Sequence, residues 1–95
     1  MDLRCTGEVV YWRGPAPYHF VPVGEQEAAA LRAASALVSY GWGVIPATVT
    51  LGGTAWTTSL FPRDGGYLVP LKDAVRRAEG VEIGDTVTLR LVVAA

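Results

Sequence analysis

The sequence is short of the groups on which most recognisable chemistry is built. Cys5 is its single cysteine and His19 its single histidine. One thiol excludes an intrachain disulfide and a cysteine-cluster metal site, and one imidazole excludes a multi-histidine metal site within the chain. There is no glycine-rich nucleotide loop, no G-x-S-x-G elbow and no zinc motif, so no cofactor is expected. No apolar run nears the roughly 20 residues that a helix needs to cross a bilayer. The opening MDLRCTGEVV lacks the apolar core and small-residue cleavage site of a signal peptide, which makes the cytoplasm the default expectation. Excess charge of one sign is also missing. A formal net charge of −1 gives no electrostatic pull toward nucleic acid or an anionic membrane, and neither is expected as the main partner.

What the chain does have is enough apolar material to fold. Of its 95 residues, 51% are apolar and 18% charged, which suits one compact domain over 1–95 rather than a disordered segment. From Leu3 to Trp12 the residues alternate, with Leu3, Cys5, Val9 and Tyr11 on one face and Arg4, Thr6, Glu8 and Trp12 on the other. That period of two predicts a half-buried strand. A proline-rich turn at Gly14-Pro15-Ala16-Pro17 leads into a second strand from Tyr18, in which Tyr18, Phe20 and Pro22 oppose His19, Val21 and Val23. After Gly24 the alanine-rich stretch Glu25–Val38 predicts a helix. Glu25 and Glu27 suit its positive end, and Leu31, Ala34, Leu37 and Val38 form a narrow apolar stripe.

Val44–Leu51 and Ala55–Phe61 predict a hairpin across Gly52-Gly53, where positive φ is permitted. A further strand begins at Tyr67 beyond Asp64-Gly65-Gly66 and breaks at Pro70. Lys72–Glu79 predicts two helical turns closed by Gly80, with Asp73 spaced to pair with Arg76 or Arg77. Thr86–Val93 alternates with Val87, Leu89, Leu91 and Val93 inward. The expected fold is mainly β: a small closed or nearly closed antiparallel barrel of about six strands, with one longer and one short α-helix.

The run GWG-x-IP-x-TVTLGGT-x-W-x-TSLFP, followed by GGY-x-x-PLK-x-AVR-x-AEG and a closing GDTVTL, resembles a bacterial family catalogued as a domain of unknown function. Its members stand alone or are joined to a YdeI/OmpD-associated segment, a label linked to bacteriocin protection. The likeness extends to PYHFVPV near the start, so it covers nearly the whole chain. It implies a small β-barrel and, because the sequence stops at Ala95 just after the last strand, the stand-alone form. It implies no particular activity. Separately, VPLKDAVRRAEGVEIGDTVTL is similar in form to half of an AbrB-type swapped-hairpin barrel, a likeness that shared geometry alone would produce.

Few residues are candidates for function. Nine aromatics is many for this length. Trp12, Tyr18, Phe20, Trp42, Trp56, Phe61 and Tyr67 either fill a core or line a barrel-mouth pocket that takes a flat apolar or cationic ligand. Lys72 and Arg76, one turn apart on the short helix, could with Ser59 hold a carboxylate or phosphate at the rim of such a pocket, or could simply be solvated. The candidate ligand-binding set is therefore Trp42, Trp56, Ser59, Tyr67, Lys72 and Arg76. His19 reads first as a partly exposed strand residue and second as an acid or base, and Cys5 as a small packed hydrophobe. The favoured expectation is a small-ligand-binding module. The alternatives are a small enzyme using Ser59, Lys72, Tyr67 or His19, and an AbrB-like nucleic-acid or protein partner domain; a homodimer is compatible with each.

Overall fold

The turns that the sequence marks most clearly form where expected. In the computed structural model, which describes residues 1–13, 18–38 and 43–93, strands β4 (Ile45–Leu51) and β5 (Thr54–Arg63) form a hairpin across Gly52-Gly53, with Gly52 at φ 58°. The backbone conformation is not the only reason for glycine there. A Cβ on Gly52 would lie 2.0 Å from the Glu79 carboxylate, which accepts a 2.6 Å hydrogen bond from Thr54. The next hairpin joins β5 to β6 (Gly66–Leu71) through Asp64 and Gly65, both at positive φ as a tight two-residue turn requires.

Seven strands are present among the described residues, all paired antiparallel. With β1 (Asp2–Glu8), β2 (Val10–Trp12), β3 (Tyr18–Pro22) and β7 (Thr86–Val92), the order across the sheet is β1-β7-β4-β5-β6-β3-β2. The sheet is curled but open, a half-barrel rather than the expected closed barrel of six strands. The extra strand arises because the run Leu3–Trp12 divides at Val9. The Val9 amide and carbonyl turn to Asp85 and Gly84, so β1 pairs with β7 while β2 pairs with β3.

Prolines show why the ladders change partners instead of closing. Pro22, Pro46, Pro62 and Pro70 all lie in strands, and each sits where its strand has one hydrogen-bonded neighbour rather than two. A residue without an N–H fits such a position and cannot complete a second ladder. Thus β5 pairs with β4 up to Leu60 and with β6 only from Phe61 onward. The sixth strand does not end at Pro70, as the sequence suggested, but runs on to Leu71 along β3.

Helix α1 (Glu25–Val38) covers the concave side, packing against β1, β4 and β6. Ala28 and Leu31 enter the core beside Val9, Val21, Ile45, Val49, Leu60 and Val69. Helix α2 (Asp73–Glu79) lies against β5 and ends as expected on Gly80, whose φ of 64° leaves the Val81 amide to donate to the Arg76 carbonyl at 2.9 Å. The Asp73–Arg76 pair forms at 3.1 Å. In β7, Val87, Leu89, Leu91 and Val93 face inward as the alternation requires. No polar or charged residue is buried among those described.

Candidate functional site: an aromatic groove on the outer face

The two halves of the sheet differ in what they show to solvent. Outward from β1 and β7 the surface is polar: Thr6 and Thr88 share a 2.9 Å hydrogen bond, and Arg90 grips the Asp2 carboxylate in a bidentate pair. That contact holds the Asp2 carboxyl below its ordinary range. Outward from β2, β3, β6 and β5 the surface is aromatic. Register fixes this. Trp12 lies opposite Tyr18, Val10 opposite Phe20, Phe20 opposite Pro70, and Phe61 opposite Leu68, so all share the face away from Val21, Val69 and Leu60.

Phe20 forms the floor and is buried beneath its neighbours. The Trp12 ring centre lies 6.3 Å from it and that of Tyr18 5.6 Å, both tilted as aromatic pairs prefer. The rings around it stay open: Trp12 is 46% exposed, Phe61 44% and Tyr18 36%. Large apolar groups held in water next to one another cost solvation, and such a patch ordinarily marks a contact surface.

Two depressions adjoin these rings, the smaller on the outer face and the larger at the end of the sheet that α1 borders. One, of about 630 Å³, runs between Tyr18, Phe61, Pro70 and the hydroxyl residues Thr58 and Ser59. The other, of about 900 Å³, passes beside Val10 and Tyr11 to the β5–β6 turn and the first turns of α1. Trp12, Phe20, Arg63 and Leu68 line both. Both volumes are in the range that small molecules occupy.

Charge is unevenly placed along the groove. Among the described residues Arg63 is the single charged one lining the smaller depression, and its guanidinium lies 4.4 Å from the centre of the Trp12 ring. Its only ion pair among the described residues, to Asp64 at 3.7 Å, is well exposed and correspondingly weak. At the other end Glu25, Asp64 and Arg32 are present together, and the Arg32 side chain donates to the Gly65 carbonyl.

The residues singled out from sequence are dispersed. Trp56 is buried on the inner face, where its indole N–H donates to the Pro70 carbonyl at 3.3 Å. Tyr67 is also buried in the core and touches only the border of the larger depression, while half-buried Ser59 borders the smaller one. Lys72 is exposed at the start of α2. Arg76 bonds Asp73, and its Nε is buried without a partner. Trp56, Lys72 and Arg76 line neither depression. Trp42 lies outside the described residues.

His19 is half-buried with its ring 4.7 Å from that of Tyr11, and burial together with the nearby Arg76 cation lowers its pKa, against a smaller opposing pull from Asp73. Cys5 is buried in the core, and burial, with the Glu27 charge, pushes its thiol up to about 11.

Sequence reasoning noted Trp12, Tyr18, Phe20 and Phe61 as aromatic but left them out of the binding set, and it passed over Arg63. The signal was there in the alternation: Ser59, Phe61 and Arg63 share one face of β5, and Trp12 falls on the polar face of the first run. Among the described residues, no group of three or more histidine, cysteine or acidic side chains is arranged to hold a metal ion. No helix described is long and apolar enough to cross a membrane. No curated protein matches the chain. A family model, "Domain of unknown function (DUF1905)", matches residues 6–91 and so spans both halves of the sheet and the whole groove: the chain belongs to the DUF1905 family.

Proposed function

We propose that this protein is a non-catalytic module that binds a small ligand in the outer-face groove. The observation that carries the reading is the set of half-exposed rings, Trp12, Tyr18 and Phe61, around the buried Phe20. Rigid aromatic side chains lose little conformational freedom on contact, which suits them to bind flat apolar groups. A small enzyme is the weaker reading. No polar residue is buried among those described, and the one histidine packs its ring against Tyr11 and makes no side-chain hydrogen bond to a described residue. A cytoplasmic bacterial setting fits the lone unpaired thiol, since disulfides are the usual mark of oxidising compartments.

The test is a screen of aromatic fragments by ligand-observed NMR on the wild type, Trp12→Ala and Phe61→Ala. Both side chains are half-exposed, so thermal stability should hold. Binding should weaken about tenfold in either variant, equivalent to roughly 1.4 kcal/mol. Fragments that bind all three proteins equally would place the ligand elsewhere.

A further inference from the structure

The groove has a direction, and its charge distribution selects among ligands. In the smaller depression apolar walls formed by Phe20, Phe61 and Pro70 meet one cation, Arg63, and two hydroxyls, Thr58 and Ser59, that make no side-chain hydrogen bond to a described residue. Among the described residues, nothing anionic lines that half. The Arg63 guanidinium carbon lies over the Trp12 ring, 4.4 Å from its centre, and the side chain makes no hydrogen bond to a described residue, so its N–H donors are available to a partner. Its attachment to Asp64 is loose, because Asp64 is 93% exposed at its side chain and the separation is 3.7 Å. A ligand anion arriving beside the apolar wall meets Arg63 in a less solvated setting than Asp64 does, and charge-assisted bonds gain strength there.

We infer that the groove takes a planar, ring-bearing ligand with an anionic group, a carboxylate or sulfonate, placing its rings on Phe20 and Phe61 and its anion on Arg63. This rests on the binding reading above and adds to it the ligand's charge and orientation. A cationic ligand is disfavoured by the same guanidinium. In the larger depression Glu25 and Asp64 oppose Arg63 and Arg32, so the anion belongs to the Arg63–Ser59 half and the apolar end points toward Tyr18 and Phe61.

Two dyes with the same ring system separate the parts of the argument: 8-anilinonaphthalene-1-sulfonate, which is anionic, and N-phenyl-1-naphthylamine, which is the same without the sulfonate. Fluorescence titrations with wild type, Arg63→Gln, Arg63→Lys and Phe61→Ala are compared, with circular dichroism melts to show that each variant folds. The wild type should bind the sulfonated dye about tenfold more tightly than the neutral one, as one charge-assisted contact provides. Arg63→Gln should erase that preference and leave the neutral dye within roughly twofold of wild type, with Arg63→Lys in between because it keeps the charge but not the planar fork. Added salt should shrink the preference in wild type and not in Arg63→Gln.

If both dyes bind equally well to wild type, or the preference survives in Arg63→Gln, the anion assignment is wrong. The binding reading then still stands provided Phe61→Ala weakens both dyes. If neither dye binds, or Phe61→Ala changes nothing, the groove itself is not the site and both conclusions fall. Should Phe61→Ala fail to fold, Phe61→Leu serves in its place.

Discussion

At the scale of single residues, what decides each role here is which side of the sheet a side chain faces. Trp12 and Trp56 are the same residue type on neighbouring parts of one sheet, yet one shapes a surface and the other fills the core and hydrogen-bonds Pro70. His19 is the residue whose environment yields a pH dependence. Burial, aided by Arg76, lowers its folded-state pKa below the ordinary 6.5, so the unfolded chain takes up a proton before the folded one does. Its contribution is therefore complete above about pH 6.5 and is lost as the pH falls from there through the folded value. The melting temperature of His19→Asn should change less between pH 7.5 and pH 5 than that of wild type; parallel profiles would show that His19 carries no such linkage. The chemistry of the candidate site was half legible at this scale. Ring content could be counted from sequence, but which rings stand open turned on facing: Trp56 and Tyr67 are buried while Trp12, Tyr18 and Phe61 are exposed. Tyr11 also misled. It alternates with Leu3, Cys5 and Val9, but it lies beyond the break at Val9 and is 38% exposed.

At the scale of elements, the local signals were reliable because they depend on a few adjacent residues. Gly52, Asp64-Gly65 and Gly80 adopt the positive φ values that their turns and cap need, and the alternation in β7 holds at every position. The break at Val9 was not legible, since alternation continues through it and the cause is a pair of hydrogen bonds to the distant residues Gly84 and Asp85. Gly7 is a glycine required by the close approach of another strand's backbone. It sits within β1, and a Cβ there would meet the Pro22 carbonyl oxygen at 2.7 Å and Val21 Cγ1 at 3.0 Å. Gly80 faces open space and is required by its φ alone. Gly7→Ala should therefore cost about 1–3 kcal/mol by forcing β1 and β3 apart, against about 1 kcal/mol for Gly80→Ala from backbone strain. Chemical denaturation of the two variants settles the order, and a Gly80→Ala loss larger than that of Gly7→Ala would refute it.

At the scale of the whole molecule, the antiparallel sense of the strands followed from sequence more readily than their number, seven rather than six, or the openness of the sheet. Closure depends on which neighbour each strand acquires, and the four strand prolines act on that choice at a distance from any local pattern. The buried Cys5 reports on the assembled state. Its thiol, raised to about 11 and shielded by β7 and α1, should resist alkylation at pH 8 in the native protein and react readily in denaturant. Rapid alkylation of the native protein by iodoacetamide, followed by mass spectrometry, would mean that β1 detaches easily. Cys5 pairs with Leu89, and every other contact of β1 with β7 spans a similar length of chain. During synthesis β1 is thus left without its partner until β7, the last strand of the sheet in chain order, has been made. Until then its apolar face has to be kept from other nascent chains, and the domain can close only once β7 has been made.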